Sequence, residues 1–167
     1  MNVHKWPKDT VLISGSSIIQ GLQENRMNKK YNVKIRPFSG ASVGDMYDYL
    51  SPLLKKEPSC IILQIGSNDS PYKSSGAILD EILLLKCRIL QILPSVKIVI
   101  SCPIVRFDNA KAGLTLRRLD DKLKSLNLDI VINDNIDGSC LGKRGLHLNP
   151  KGSGRLAINF LSVMRQL

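Results

Sequence analysis

Short, nearly unbroken apolar runs recur along the chain at Val11-Leu12-Ile13, Val33-Lys34-Ile35, Ile61–Ile65, Val96–Ile100 and Ile130-Val131-Ile132. Rich in β-branched residues, they read as five strands, several of them continuous enough to be covered on both faces. The segments between them repeat at helical spacing instead. Ile78, Ile82, Leu85, Ile89 and Ile92 step by four and three residues into one buried stripe, which Pro94 stops. Leu116, Leu119, Leu123 and Leu126 repeat the pattern. So do Ala157, Phe160, Leu161 and Met164, behind an Asn149-Pro150 pair suited to a cap and a first turn. Ser42 and Asp45 have the spacing of a capping pair and predict a helix over 43–54. Gly15-Ser16-Ser17-Ile18-Ile19 predicts a small-residue turn running into a further helix. Strand alternating with helix five times over predicts an α/β fold, a parallel sheet with helices on both faces. Ligands of such sheets sit beyond the carboxyl ends of the strands, so those ends are where chemistry is sought.

Composition narrows the classes. At 167 residues the chain fits one domain, read as 9–167 behind a flexible segment 1–8, and it can bury a core without disulfide or metal. No apolar run approaches the roughly 18 residues of a membrane helix, and the N-terminus lacks the apolar stretch of a secretory signal. The expectation is an intracellular, cytoplasmic domain, with a nuclear location also compatible. Cys60, Cys87, Cys102 and Cys140 are scattered with no CxxC pair, and only His4 and His147 could assist them, so free thiols and no metal site are expected. Lys and Arg number 24 against 14 Asp and Glu, a formal charge of +10. No acidic residue occurs from Gly138 to Leu167, which holds Lys143, Arg144, Lys151, Arg155 and Arg165. That basic C-terminal region could meet nucleic acid or an anionic surface, or simply be solvated. Eight aromatics in all argue against a base-stacking platform.

The predicted strand ends carry the candidate chemistry. Ser17 follows the first strand near a helix start, where backbone N–H groups favour developing negative charge. Gly40, in Phe38-Ser39-Gly40-Ala41, lets backbone approach a ligand, and Asn68, in Gly66-Ser67-Asn68-Asp69, adds an amide donor. His147, in Gly145-Leu146-His147-Leu148-Asn149-Pro150, stands just before the last helix. Singly these read as a cap, two turn residues and a loop hydrogen bond. Together, and in this order, they supply the nucleophile, base and oxyanion donors of acyl transfer. No GxGxxG or GK(S/T) follows the first strand, so a nucleotide-binding domain lacks support and no cofactor is expected.

The four segments resemble the four blocks of the SGNH (GDSL-type) hydrolase family, over nearly the whole chain. More narrowly, they look like the SGNH-like domains of invertebrate, retrotransposon-associated proteins. The resemblance implies a three-layer α/β/α, flavodoxin-like fold with strand order 2-1-3-4-5, and ester hydrolysis through an acyl-enzyme. It makes Ser17 the nucleophile and His147 the base, with the N–H groups of Ser17 and Gly40 and the Asn68 amide as oxyanion hole. Ser16, Asp69 and Arg144 are expected to contact substrate. Two positions depart from the pattern: Ser16 replaces the family's aspartate, and Arg144 stands where the triad acid lies, three residues before the histidine. The expected site is therefore a Ser–His dyad. A carboxylate such as Asp137 could hold the ring, although Asn135-Ile136-Asp137-Gly138 reads better as a turn. Two functions remain: an esterase acting on a small ester or acylated substrate, and a weakly active or inactive binding or assembly module working through the basic face. Oligomeric state cannot be read from the sequence.

Overall fold

The computed structural model describes residues 3–167. Five strands, β1 (Thr10–Gly15), β2 (Asn32–Pro37), β3 (Cys60–Gln64), β4 (Lys97–Ser101) and β5 (Ile130–Val131), form one all-parallel sheet in the order β2-β1-β3-β4-β5. Successive side chains of a strand point to opposite faces, and each face here finds its own cover. Leu12, Ile61, Leu63, Ile98 and Ile100 pack on one side under α2 (Met46–Leu54), α3 (Ser75–Ile92) and α4 (Ala110–Ser125). Val11, Ile13, Val33, Ile35, Ile62 and Val99 pack on the other under the short α1 (Glu24–Met27) and α5 (Pro150–Met164). That two-sided burial is why the strand sequences are continuous runs rather than alternations. The expected three-layer α/β/α fold and strand order are those observed.

The chain departs from the expected helices in two places. Between β1 and β2 no long helix forms: Ser17–Ile19 makes a single 3₁₀ turn and α1 is four residues long. The cause is close packing against α5, since a Cβ on Gly21 would stand 2.4 Å from Ser153 Oγ. Ser42 and Asp45 do bond reciprocally, side chain to backbone in both directions. They close a turn ahead of α2, however, and the helix itself begins at Met46. Of the expected loose segment 1–8, residues 1–2 lie outside the described residues. Further on, the Trp6 N–H donates to the Lys56 carbonyl at 3.0 Å and Lys5 pairs with Glu57. No helix is long and apolar enough to cross a membrane among the described residues.

Candidate active site

Parallel pairing brings the ends of three neighbouring strands level. Gly15 at the end of β1 is in register with Pro37 of β2 on one side and Gln64 of β3 on the other. The turns beyond are then tied to each other: Ser16 N–H donates to the Gln64 carbonyl at 3.1 Å, and Phe38 N–H to the Gly15 carbonyl at 2.7 Å. Ser17, Gly40 and Asn68 therefore leave adjacent strands on one edge of the sheet.

Each presents a group to that edge. Ser17 is half-buried and opens the 3₁₀ turn, so its own N–H lies outside the turn's hydrogen bonds. Gly40 adopts φ +76°, a left-handed conformation that glycine takes without a Cβ penalty, and the space where a Cβ would stand is open. Among the described residues no partner takes the N–H of Ser17 or of Gly40. Asn68 Nδ2 donates to the Ala41 carbonyl at 2.9 Å, which fixes the side chain across the two loops. A carboxamide has two N–H bonds, so one remains free.

His147 arrives on a pinched loop. Leu141 and Leu148 form an antiparallel bridge, Gly142 N–H donates to the His147 carbonyl at 2.8 Å, and Asn149 N–H donates to the Cys140 carbonyl at 2.9 Å. The Asn149 side chain closes the loop's base: Oδ1 caps α5 at Gly152, and Nδ2 donates to the Ser139 and Leu141 carbonyls. The imidazole itself is exposed, and no hydrogen bond joins it to Ser17 among the described residues. A cavity of about 350 Å³ lies between the α1 segment and the start of α5, lined by Leu22, Met27, Leu148, Pro150 and Ala157 together with Arg26, and none of Ser17, Gly40, Asn68 or His147 lines it.

The three expected substrate contacts separate. Arg144 is exposed on the histidine loop. Asp69 is buried at 2% exposure, and its carboxylate accepts the Val43 N–H at 3.0 Å and the Lys73 ammonium at 3.0 Å. It braces the Gly66–Asp69 turn against the loop before α2 and presents nothing to a ligand. Lys73 is held protonated beyond the usual lysine range by Glu81 first and Asp69 second. Ser16 is buried too, with its hydroxyl unpartnered. Asp137 accepts from Ser139 N–H and Oγ and caps the 3₁₀ turn Gly138–Cys140, and these hydrogen bonds hold its carboxyl below the usual range.

Two further residues, with no role assigned from the sequence, also reach the edge. The loop after β4 brings Arg106 and Asp108, joined by two hydrogen bonds, Nε to Oδ1 at 2.6 Å and Nη2 to Oδ2 at 2.5 Å. Arg106 Nη1 also donates to the Ser67 carbonyl at 3.1 Å, next to Asn68. Nothing in the local sequence marks this pair, because its importance comes from a strand end two positions away from β1 in the sheet.

No protein-family model matches the chain, and no curated protein matches it significantly. Solved structures do. A GDSL-like lipase from Bacteroides thetaiotaomicron superposes with a TM-score of 0.77 at 12% identity, over 95% of this chain and 88% of that one. The chain has the fold of the GDSL-type hydrolases. A lipase/acylhydrolase from Enterococcus faecalis gives a TM-score of 0.72 at 15% identity, over 95% of this chain and 96% of that one. A carbohydrate esterase family 3 protein from Talaromyces cellulolyticus gives 0.73 at 13%, over 95% and 98%. At such identities the GDSL-type likeness concerns the path of the chain, and the chemistry rests on the residues of the edge.

Proposed function

We propose that this chain is a serine-dependent ester hydrolase. The observation that carries the reading is the level register Pro37–Gly15–Gln64, beyond which Gly40, Ser17 and Asn68, each with an N–H left free, leave adjacent strands at one edge of the sheet. Ser17 Oγ attacks the acyl carbonyl while His147 accepts its proton. The negative charge that develops on the carbonyl oxygen is met by the N–H groups of Ser17 and Gly40 and the second Asn68 N–H. Such donors are worth most in the transition state, when the fold holds them in place before the charge appears. The tetrahedral intermediate collapses, His147 passes its proton to the departing alcohol, and an acyl-serine remains. Water, deprotonated by His147, then releases the acid and restores Ser17. Solved structures of the same fold include proteins described as esterases and lipases, which supports ester chemistry. The openness around Gly40 suits a short acyl or acetyl group on a larger alcohol.

The test is hydrolysis of p-nitrophenyl acetate by the wild type, Ser17→Ala and His147→Ala. Turnover by the wild type and its loss in both variants supports the reading. A folded wild type without turnover rejects it.

A second reading rests on the exposed cations of the histidine loop. Lys143, Arg144 and Lys151 face solvent in a segment without acidic residues. We infer for this case a binding or assembly module of the retroelement type, in a reducing compartment that suits four unpaired cysteines. Nucleic-acid affinity that falls steeply with salt and drops on charge reversal of Lys143 and Arg144 is its signature.

A further inference from the structure

An imidazole acting as base needs a group to set its tautomer and to balance the imidazolium it becomes, and that group is usually a carboxylate on the second ring nitrogen. The position three residues before His147 is Arg144, which can do neither. The loop after β4 fills the gap from another part of the chain. Phe107 N–H donates to the Gly145 carbonyl at 2.7 Å, which zips this loop to the histidine loop. Gly145, at φ +68°, turns so tightly over it that a Cβ there would stand 3.0 Å from Phe107 Cβ and 3.2 Å from the Asp108 nitrogen.

We propose that Asp108 is the positioning residue for His147, a carboxylate delivered from the β4–α4 loop in place of one on the histidine loop. The proposal rests on the esterase reading for its catalytic consequence, though the contact between the two side chains can be tested without it. Arg106 makes the arrangement rigid. Its guanidinium grips both oxygens of Asp108 and, through Nη1, the Ser67 carbonyl beside Asn68, so one side chain ties the acid to the oxyanion side of the site. A carboxylate has about four acceptor positions, and the arginine fork takes two, which leaves Asp108 able to accept from the imidazole. The same guanidinium, first, and the nearby His147 in smaller part hold the Asp108 carboxyl below the usual carboxylate range, which favours its ionised form. The competing carboxylates are occupied elsewhere: Asp137 caps the Gly138–Cys140 turn, and Asp69 is buried under Val43 and Lys73.

The experiment compares wild type, Asp108→Asn, Asp108→Glu and the double variant Asp108→Asn/Arg144→Asp, using p-nitrophenyl acetate kinetics and ¹⁵N-imidazole NMR. The expected result is a kcat about 10²- to 10⁴-fold lower in Asp108→Asn with KM moved less than about threefold, since neutralising the acid of a serine protease costs about 10⁴. Asp108→Glu retains part of the rate, and the double variant regains part of it, which general loosening of the loop would not produce. In the wild-type spectrum His147 carries its proton on Nδ1, and Asp108→Asn loses that preference. A wild-type His147 protonated on Nε2 overturns the proposal without any variant. So does an Asp108→Asn protein with unchanged kcat and imidazole signals. If the wild type hydrolyses no ester, the esterase reading falls, and the NMR comparison alone decides whether Asp108 orients the ring.

Discussion

Asn68 has two N–H bonds, and the fold uses one of them. The bond to the Ala41 carbonyl anchors the side chain between the loops after β2 and β3, and the other bond stays free, the donor that the proposed esterase reading gives to an oxyanion. Asn68→Ala removes both the anchor and the donor. Steady-state ester hydrolysis should show kcat lower by about 10²- to 10³-fold, the usual cost of one oxyanion-hole donor, with KM less affected. An unchanged kcat would place the oxyanion elsewhere. Its neighbour Asp69 illustrates why adjacency in sequence misleads: one residue on, the side chain points inward, to Val43 and Lys73.

Asn149 belongs to the element scale, because three pieces of structure end on it. It caps α5 through Gly152 and holds the Ser139 and Leu141 carbonyls, so it fixes both the helix start and the base of the loop carrying His147. Asn149→Ala should cost about 2 to 3 kcal/mol, a cap plus two carbonyl hydrogen bonds. Thermal unfolding should register this as a drop of roughly 5 to 10 °C. Ester turnover should fall with it, as the loop loosens. Elements of this kind were legible in the sequence where one physical signal dominated. The strands announce themselves because burial on both faces demands continuous apolar runs, and α3 because Ile78 to Ile89 make an unbroken stripe. The first crossover was not legible: Ile18, Ile19 and Leu22 have helical spacing, but the backbone at Gly21 must lie against α5. The placement of Ser17, Gly40 and Asn68 just beyond strand ends, and of His147 just before α5, could be read because each flanks a strongly patterned element. The approach of the Asp108 loop to the histidine loop could not, since it exists only after Gly145 closes over Phe107.

For the whole molecule, acid is the informative stress. Asp108, Asp137 and Asp45 all have carboxyls lowered in the folded chain: by Arg106, by Ser139 and by Ser42, respectively. A lowered carboxyl contributes stability that is fully present above its unfolded value near 3.9 and is lost as pH falls through the lower folded value. Protonation also adds positive charge to a chain already at +10. The unfolding temperature should stay level from about pH 8 to 5 and fall steeply below about pH 4; a decline beginning near pH 6 would contradict this assignment. Lys124, raised by Asp120 and then Asp134, works in the opposite direction, with its contribution intact below about 10.5 and lost at higher pH. The central claim, that this fold brings Ser17 and His147 together as a working nucleophile and base, is tested most directly by one measurement. Wild-type protein is treated with a fluorophosphonate, digested and sequenced by mass spectrometry. The account predicts a single adduct on Ser17, absent when His147→Ala is treated in the same way. A folded wild type that stays unmodified, or carries the adduct on another residue, would contradict it.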